Sequence, residues 1–146
     1  MLELKNITKS YENHTVLKDV NMVFPDIGFI GIKGRSGCGK STLLYILGLL
    51  DQDYEGELLY NGEQIKDKSE FIQAYISFVM QHNDYISSLN VKENIKLAQI
   101  VSSKKVNLDM EILKTLGISH LLKRFPDTLS GGELKRVTIA KAILKD

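Results

Sequence analysis

The feature that most constrains this chain is a glycine-rich segment at residues 34–41, Gly-Arg-Ser-Gly-Cys-Gly-Lys-Ser. It fits the pattern G-x-x-x-x-G-K-[ST], with a short apolar run before it and a helical pattern after it. In such a loop, backbone N–H groups and the N-terminus of the following helix can surround phosphate groups without obstruction by large side chains. The segment therefore predicts a phosphate-binding loop between a buried strand and a helix.

The residue types within this loop predict how a nucleotide would be held. Lys40 is placed as a point charge for the β- and γ-phosphates, and the Ser41 hydroxyl is placed to bind Mg²⁺. The predicted phosphate-binding residues are Gly34, Arg35, Ser36, Gly37, Cys38, Gly39, Lys40, Ser41 and Thr42.

A second glycine pair lies near the end of the chain, in the segment Leu129-Ser130-Gly131-Gly132-Glu133. Ser130 with Glu133 three residues later predicts a capped helix start. Two glycines in a first turn weaken a helix relative to alanine, so they need a reason, and close approach of a ligand is one. We interpret this segment as a second anion-binding helix terminus.

Apolar periodicity divides the chain into an α/β first half and a helical second half, joined near residues 81–90. The predicted strands cover residues 2–7, 20–24, 28–32, 56–60 and 76–80. The predicted helices cover residues 41–50, a segment from Asn90 onward, 109–116, 119–123, and residue 130 to the end. The run at 28–32 is short and apolar, which is typical of a strand buried in a parallel sheet.

Composition excludes several classes of protein. The 146 residues carry a net charge of +1, so no basic footprint indicates nucleic-acid binding. One cysteine cannot form an internal disulfide framework. The longest apolar run, residues 43–50, is interrupted by Gly48 and is far shorter than the roughly 20 residues of a membrane-spanning helix.

With both glycine motifs present, the chain resembles the nucleotide-binding domain of ABC transporters. Residues 34–41 match the family's Walker A loop and residues 129–133 its LSGGE signature. The resemblance implies that Tyr11, with Val16, lies where an aromatic side chain of the family stacks on adenine. It also implies that Gln81 lies where the Q-loop glutamine contacts Mg²⁺ and water and senses the membrane partner.

The resemblance further implies the fold, the ligands and the partners. The expected fold is an α/β P-loop ATPase core with antiparallel N-terminal strands, a helical subdomain and an incomplete sheet. The expected parts are residues 1–85 with Walker A, 86–128 as helical subdomain, and 129–146 with the signature. The expected ligands are ATP and Mg²⁺. Across a homo- or heterodimer, a partner's ATP would meet Ser130, Gly131, Gly132 and Glu133.

Such a domain works with a transmembrane permease, so the resemblance implies a cytoplasmic protein held at the inner face of the membrane by that partner. Residues 41–51 are similar to exporters of the lipoprotein-release and macrolide or antimicrobial-peptide type. The family's Walker B aspartate and catalytic glutamate would follow at about residue 146, and no apolar run ending in Asp-Glu occurs in residues 1–146. These residues alone are therefore expected to bind ATP without hydrolysing it.

Two other functions remain compatible with the same motifs. A soluble ABC protein of the translation or DNA-repair type shares both, although the near-neutral charge and the lack of a long coiled-coil insertion weigh against it. A nucleotide-binding module without turnover is the other alternative.

Overall fold

The computed structural model describes residues 1–80, 85–101 and 108–145. The chain divides into two compact units, Met1–Ile72 and Gln73–Asp146. Each unit has its own buried apolar residues, and each is described by itself below.

The first unit contains a four-stranded antiparallel sheet in the order β2-β1-β3-β4. Its strands are β1 (Leu2–Tyr11), β2 (His14–Phe24), β3 (Glu55–Tyr60) and β4 (Glu63–Gln64). Helix α1 (Lys40–Leu47) lies in this unit, and α2 (Lys68–Tyr75) begins in it. Its buried apolar side chains are Leu4, Ile7, Leu17, Phe24, Leu43, Ile46, Leu49, Leu58 and Leu59.

A bulge in β1 determines which side chains of that strand are buried. Asn6 has a φ of 52°, and the register with both neighbouring strands shifts at this point. The shift lets Leu4 and Ile7, three residues apart, both be buried. Beyond the bulge, the alternation continues from Ile7 to Lys9, which is also buried.

Two predicted strands are wrong. Residues 25–39 contain no helix or strand, and within them Phe29 is fully exposed. A buried parallel strand needs partners on both sides, and the sheet of this unit does not include residues 28–32. Residues 76–80 are likewise not a strand. Two of their carbonyl groups accept hydrogen bonds from lysine side chains, Ile76 from Lys145 and Met80 from Lys135, at 2.6 and 2.9 Å between nitrogen and oxygen.

The other predicted elements are present with changed ends, except that the predicted helix at 119–123 is a 3-10 turn at Ser119–Leu121. β1 and β2 are longer than predicted because their pairing continues to a tight turn, where Tyr11 lies opposite His14. Helix α1 ends before Gly48, and Leu50 is half exposed. Helix α2 was not predicted. The Asp67 side chain, just before its first residue, accepts a hydrogen bond from the Glu70 N–H in its first turn.

The second unit is helical, with α3 (Val91–Val101), α4 (Met110–Thr115), α5 (Gly131–Leu144) and two 3-10 turns at Ser119–Leu121 and Pro126–Thr128. The predicted start at Asn90 is confirmed, because the side chains of Asn90 and Glu93 each accept a hydrogen bond from the other's N–H. The buried core of the unit consists of Val91, Ile95, Leu113, Ile118, Leu121, Val137, Ala140 and Leu144. Within the described part of the chain, no helix has the length and apolar character needed to cross a membrane.

Candidate nucleotide-binding site

The glycine-rich loop leads directly into α1 in the first unit. Gly37 and Gly39 have φ angles of 79° and 88°, a left-handed conformation that favours glycine. Gly39 is the N-cap of α1, and its carbonyl accepts the first helical hydrogen bond from the Leu43 N–H at 2.9 Å. With no side chain at Gly39, the first N–H groups of α1 remain uncovered.

Gly39 lies directly against strand β2. A Cβ atom at this position would be 2.8 Å from Val16 Cγ1, 2.9 Å from Leu17 Cδ2 and 3.1 Å from the Val16 carbonyl oxygen. These distances leave room only for glycine. The structure therefore brings Val16 and the loop together, two parts of the site that the sequence predicted separately.

The ammonium group of Lys40 lies inside the loop. Lys40 Nζ donates to the carbonyl oxygens of Gly34 at 3.0 Å and Arg35 at 2.6 Å, and it lies 3.8 Å from Cys38 Sγ. One cation and the uncovered N–H groups of α1 are thus close together, which fits the phosphate part of a nucleotide.

Ser41 is exposed in the first turn of α1. A hydroxyl there suits Mg²⁺ only together with other oxygen ligands, because Mg²⁺ prefers six of them. The described residues hold no group of three or more His, Cys, Asp or Glu that could bind a metal ion. Phosphate oxygens and water would therefore have to complete the set. Gln81, the other residue predicted to contact Mg²⁺, lies outside the described residues.

Tyr11 lies at the end of β1 with 47% of its surface exposed. Its hydroxyl donates to Asp51 Oδ2 at 3.2 Å. Lys9 Nζ lies 4.9 Å from the centre of its ring, which is within the range of a cation–π contact. Sequence reasoning missed Lys9 and Asp51. The two-residue spacing of Lys9 and Tyr11 on one strand was a signal that they share a face.

Lys9 and Asp51 form a charged pair that is partly removed from water. Burial by itself would lower the pKa of Lys9, but hydrogen bonds and charges from Asp51 and Asp53 outweigh it and raise that pKa. Burial likewise would raise the pKa of Asp51, but its hydrogen bonds and the Lys9 charge lower it. Both groups are therefore charged at neutral pH.

The signature segment begins α5 in the second unit. As the sequence predicted, Ser130 caps this helix. Its N–H and hydroxyl donate to Glu133 Oε2, each at 2.8 Å, and its hydroxyl oxygen accepts from the Glu133 N–H at 3.3 Å. These bonds, with the charges of Arg124 and Arg136, lower the pKa of Glu133.

The two glycines of this segment differ in how close a side chain placed there would come to other atoms. A Cβ at Gly131 would meet no atom within 4 Å, and one at Gly132 would lie 3.6 Å from Arg136 Nη1. Arg136 and Arg124 were not predicted as site residues. An open helix N-terminus next to a guanidinium group suits an anion.

The loop–helix geometry of the first unit and the motif that carries it define the class of P-loop nucleotide-binding proteins. The sequence profile described as ABC transporter matches residues 17–146. The chain belongs to the ABC transporter family, as part of its ATP-binding domain.

Two relatives and one solved structure illustrate this membership. The macrolide export ATP-binding/permease protein MacB of Pasteurella multocida is 36% identical over 99% of the chain and 24% of its own length. The lipoprotein-releasing system ATP-binding protein LolD of Cytophaga hutchinsonii is 32% identical over all of the chain and 71% of its own length. The dimeric structure of the ATP-binding cassette MJ0796, in a post-hydrolysis state bound to ADP and Pi, has a TM-score of 0.85 and 32% identity over 99% of the chain and 70% of its own.

The predicted similarity to the lipoprotein-release and macrolide exporters is confirmed by these two relatives. The chain spans 24% to 34% of the full length of several curated relatives that it matches.

Proposed function

We propose that this chain binds Mg-ATP as the N-terminal part of an ABC transporter ATPase. The main support for this proposal is that the Lys40 ammonium lies inside a loop whose Gly39 packs directly against β2. A phosphate group in this loop would gain a cation and free N–H groups without any side chain being displaced from Gly39.

Individual residues then take the roles that the sequence predicted. Lys40 would neutralise charge on the β- and γ-phosphates, and Ser41 would supply one oxygen to Mg²⁺. Tyr11 would stack on the adenine, supported by its exposed position. Val16 would line the same side, because it touches the loop at Gly39. Gln81 would contact Mg²⁺ and the attacking water.

The signature segment would act on a nucleotide held by a second ABC ATP-binding domain. The start of α5 at Gly131 and Gly132 offers N–H groups to such a partner's phosphates, next to Ser130, whose own N–H and hydroxyl donate to Glu133. The dimeric ATP-binding cassette among the structural relatives supports such a partner. In this proposal residues 1–85 hold Walker A, 86–128 form the helical subdomain, and 129–146 carry the signature.

The membrane partner would be a permease subunit or domain, because one relative is named as an ATP-binding/permease protein. That partner would hold the chain at the cytoplasmic face of the membrane. ATP hydrolysis in the complete assembly would then drive transport.

We also propose that residues 1–146 by themselves bind ATP without turnover. No run of apolar residues in this sequence ends in Asp-Glu, so it offers no carboxylate of that kind to activate water. Gln81 can orient water but is too weak a base to replace a carboxylate.

The decisive variant is Lys40→Ala, with Lys33→Ala as the matched control. Both remove one lysine charge from the same segment, but only Lys40 lies inside the loop. Removing a charged hydrogen-bonding group is worth roughly 1.5–3 kcal/mol. Calorimetric titration with Mg-ATP should therefore show binding weakened by about tenfold to more than a hundredfold for Lys40→Ala, and unchanged for Lys33→Ala. Equal affinities for Lys40→Ala and the unmodified chain would refute the phosphate-loop assignment.

Phosphate release by the same proteins tests the second proposal. The unmodified chain should release no more phosphate than Lys40→Ala. Turnover that disappears in Lys40→Ala would show that these residues contain a catalytic base.

A further inference from the structure

Lys9, on the strand β1 between β2 and β3, is a buried lysine. Only 4% of its surface is exposed. Its ammonium group donates to Asp51 Oδ1 at 3.0 Å, to Asp53 Oδ2 at 3.2 Å, and to the backbone carbonyl of Asp53. A buried lysine requires such partners, so these contacts explain how it is tolerated but not what it does.

The same ion pair holds the Tyr11 side chain at two points. The Lys9 ammonium lies 4.9 Å from the ring centre, and Asp51 Oδ2 accepts a hydrogen bond from the Tyr11 hydroxyl, with 3.2 Å between the two oxygens. Asp51 itself is fixed, because one of its oxygens also accepts from the Asp53 N–H at 3.0 Å. With 47% of its surface still exposed, Tyr11 is held in one orientation and yet remains accessible to a ligand.

We propose that Lys9 and Asp51 are positioning residues that hold the Tyr11 ring in the orientation in which it receives the adenine base. This inference rests on the proposed function, in which Tyr11 stacks on adenine. The base would gain affinity because the ring loses little rotational freedom on binding. The pair acts continuously at neutral pH, since the pKa of Lys9 is raised and that of Asp51 is lowered.

The geometry predicts an effect confined to the base. Lys9 touches the ring and the carboxylates, whereas the loop that would hold the phosphates is fixed by its own contacts with Val16 and Lys40. Immobilising one side chain in advance is worth a factor of about two to ten in affinity. Loss of Lys9 should therefore weaken ATP by this factor and leave a phosphate-only ligand unaffected.

The test is a double-mutant cycle with two probes, Mg-ATP and Mg-tripolyphosphate, measured by calorimetry on the 146-residue chain. Lys9→Met should weaken Mg-ATP about two- to tenfold and leave tripolyphosphate unchanged. In a Tyr11→Leu background, Lys9→Met should have no further effect on Mg-ATP, because no ring remains to be positioned. Lys5→Met is the matched control: it removes an exposed lysine of the same strand, paired with Glu3 at 3.6 Å, and should change neither affinity.

A second variant keeps the proposal testable if Lys9→Met fails to fold. Tyr11→Phe retains the ring and removes only the hydroxyl that Asp51 accepts. It should weaken Mg-ATP about two- to threefold, the low end of the same range, again with no change for tripolyphosphate.

Two results would overturn the positioning role: an unchanged Mg-ATP affinity in both Lys9→Met and Tyr11→Phe, or equal weakening of both probes by Lys9→Met. The second would indicate a purely structural ion pair. Failure of the proposed function looks different. In that case the unmodified chain would bind neither probe, or Lys40→Ala and the unmodified chain would bind each probe with equal affinity. Either result would also refute the positioning role of Lys9 and Asp51.

Discussion

Replacing Gly39 with alanine should destabilise the first unit more than the same replacement at Gly37 or Gly31. The structure separates two causes. The φ of 88° costs a residue with a Cβ atom about 1–2 kcal/mol. The new Cβ would also lie 2.8–3.1 Å from Val16 and Leu17, and one of the contacted atoms is a backbone oxygen. Overpacking of this kind costs about 1–3 kcal/mol. The expected loss is therefore about 2–5 kcal/mol of the free energy of unfolding.

Two other glycines serve as controls for the two causes. Gly37 has a φ of 79°, but a Cβ atom there would meet no atom within 4 Å, so Gly37→Ala should lose only the conformational part, about 1–2 kcal/mol. Gly31 has neither a positive φ nor a close neighbour. Gly31→Ala should change the stability little, or raise it by up to about 1 kcal/mol, because alanine restricts the unfolded chain.

The measurement is urea unfolding followed by far-UV circular dichroism and by tyrosine fluorescence, since the chain has no tryptophan. Nucleotide must be absent, because a ligand that binds only the folded state adds its own stabilisation. If Gly39→Ala and Gly37→Ala lower the free energy of unfolding equally, Gly39 does not pack against β2. A loss of similar size in Gly31→Ala would assign the effect to alanine in this segment in general.

Three further predictions concern other surfaces. Cys38 is exposed in the loop, so maleimide should label it, and Mg-ATP should slow the labelling; an unchanged rate would contradict nucleotide binding at the loop. Phe29 is fully exposed beside Ile27 and Ile30, so the 146-residue chain should self-associate, and sedimentation should show more monomer for Phe29→Ser. The pKa of Glu133 is lower in the folded chain than its ordinary value. Its carboxylate therefore stabilises the second unit at pH values above the unfolded pKa, and this contribution is lost as the pH falls through the folded pKa. Urea midpoints between about pH 6 and pH 3 should therefore fall less steeply for Glu133→Gln, and parallel curves would refute the assignment.

The capped helix starts show what local sequence determines. Asn90 with Glu93, and Ser130 with Glu133, form reciprocal hydrogen bonds between residues three apart. Such bonds depend on few other residues, so the pattern of side chains suffices to predict them. The order of residues in the glycine-rich loop is local in the same way, since the positive φ angles and the helix start follow from glycine and its neighbours.

The two apolar runs show where the sequence alone misleads. Residues 28–32 and 76–80 are mostly apolar and were both predicted to be strands, but neither is a strand. Apolar composition indicates that a segment can be buried, whereas pairing in a sheet depends on which other strands lie beside it. In the first unit, the sheet consists of β1 to β4 and leaves Phe29 exposed.

The sequence by itself therefore determined the phosphate-binding motif, the signature motif and the helix caps, because each depends on residues close together along the chain. Only the tertiary structure decided that Gly39 packs against Val16, and that Lys9 meets Asp51, 42 residues away, to hold Tyr11. Contacts of this kind join segments that no local pattern connects. They form only when β1, β2 and the segment after α1 are brought together by the burial of their apolar side chains.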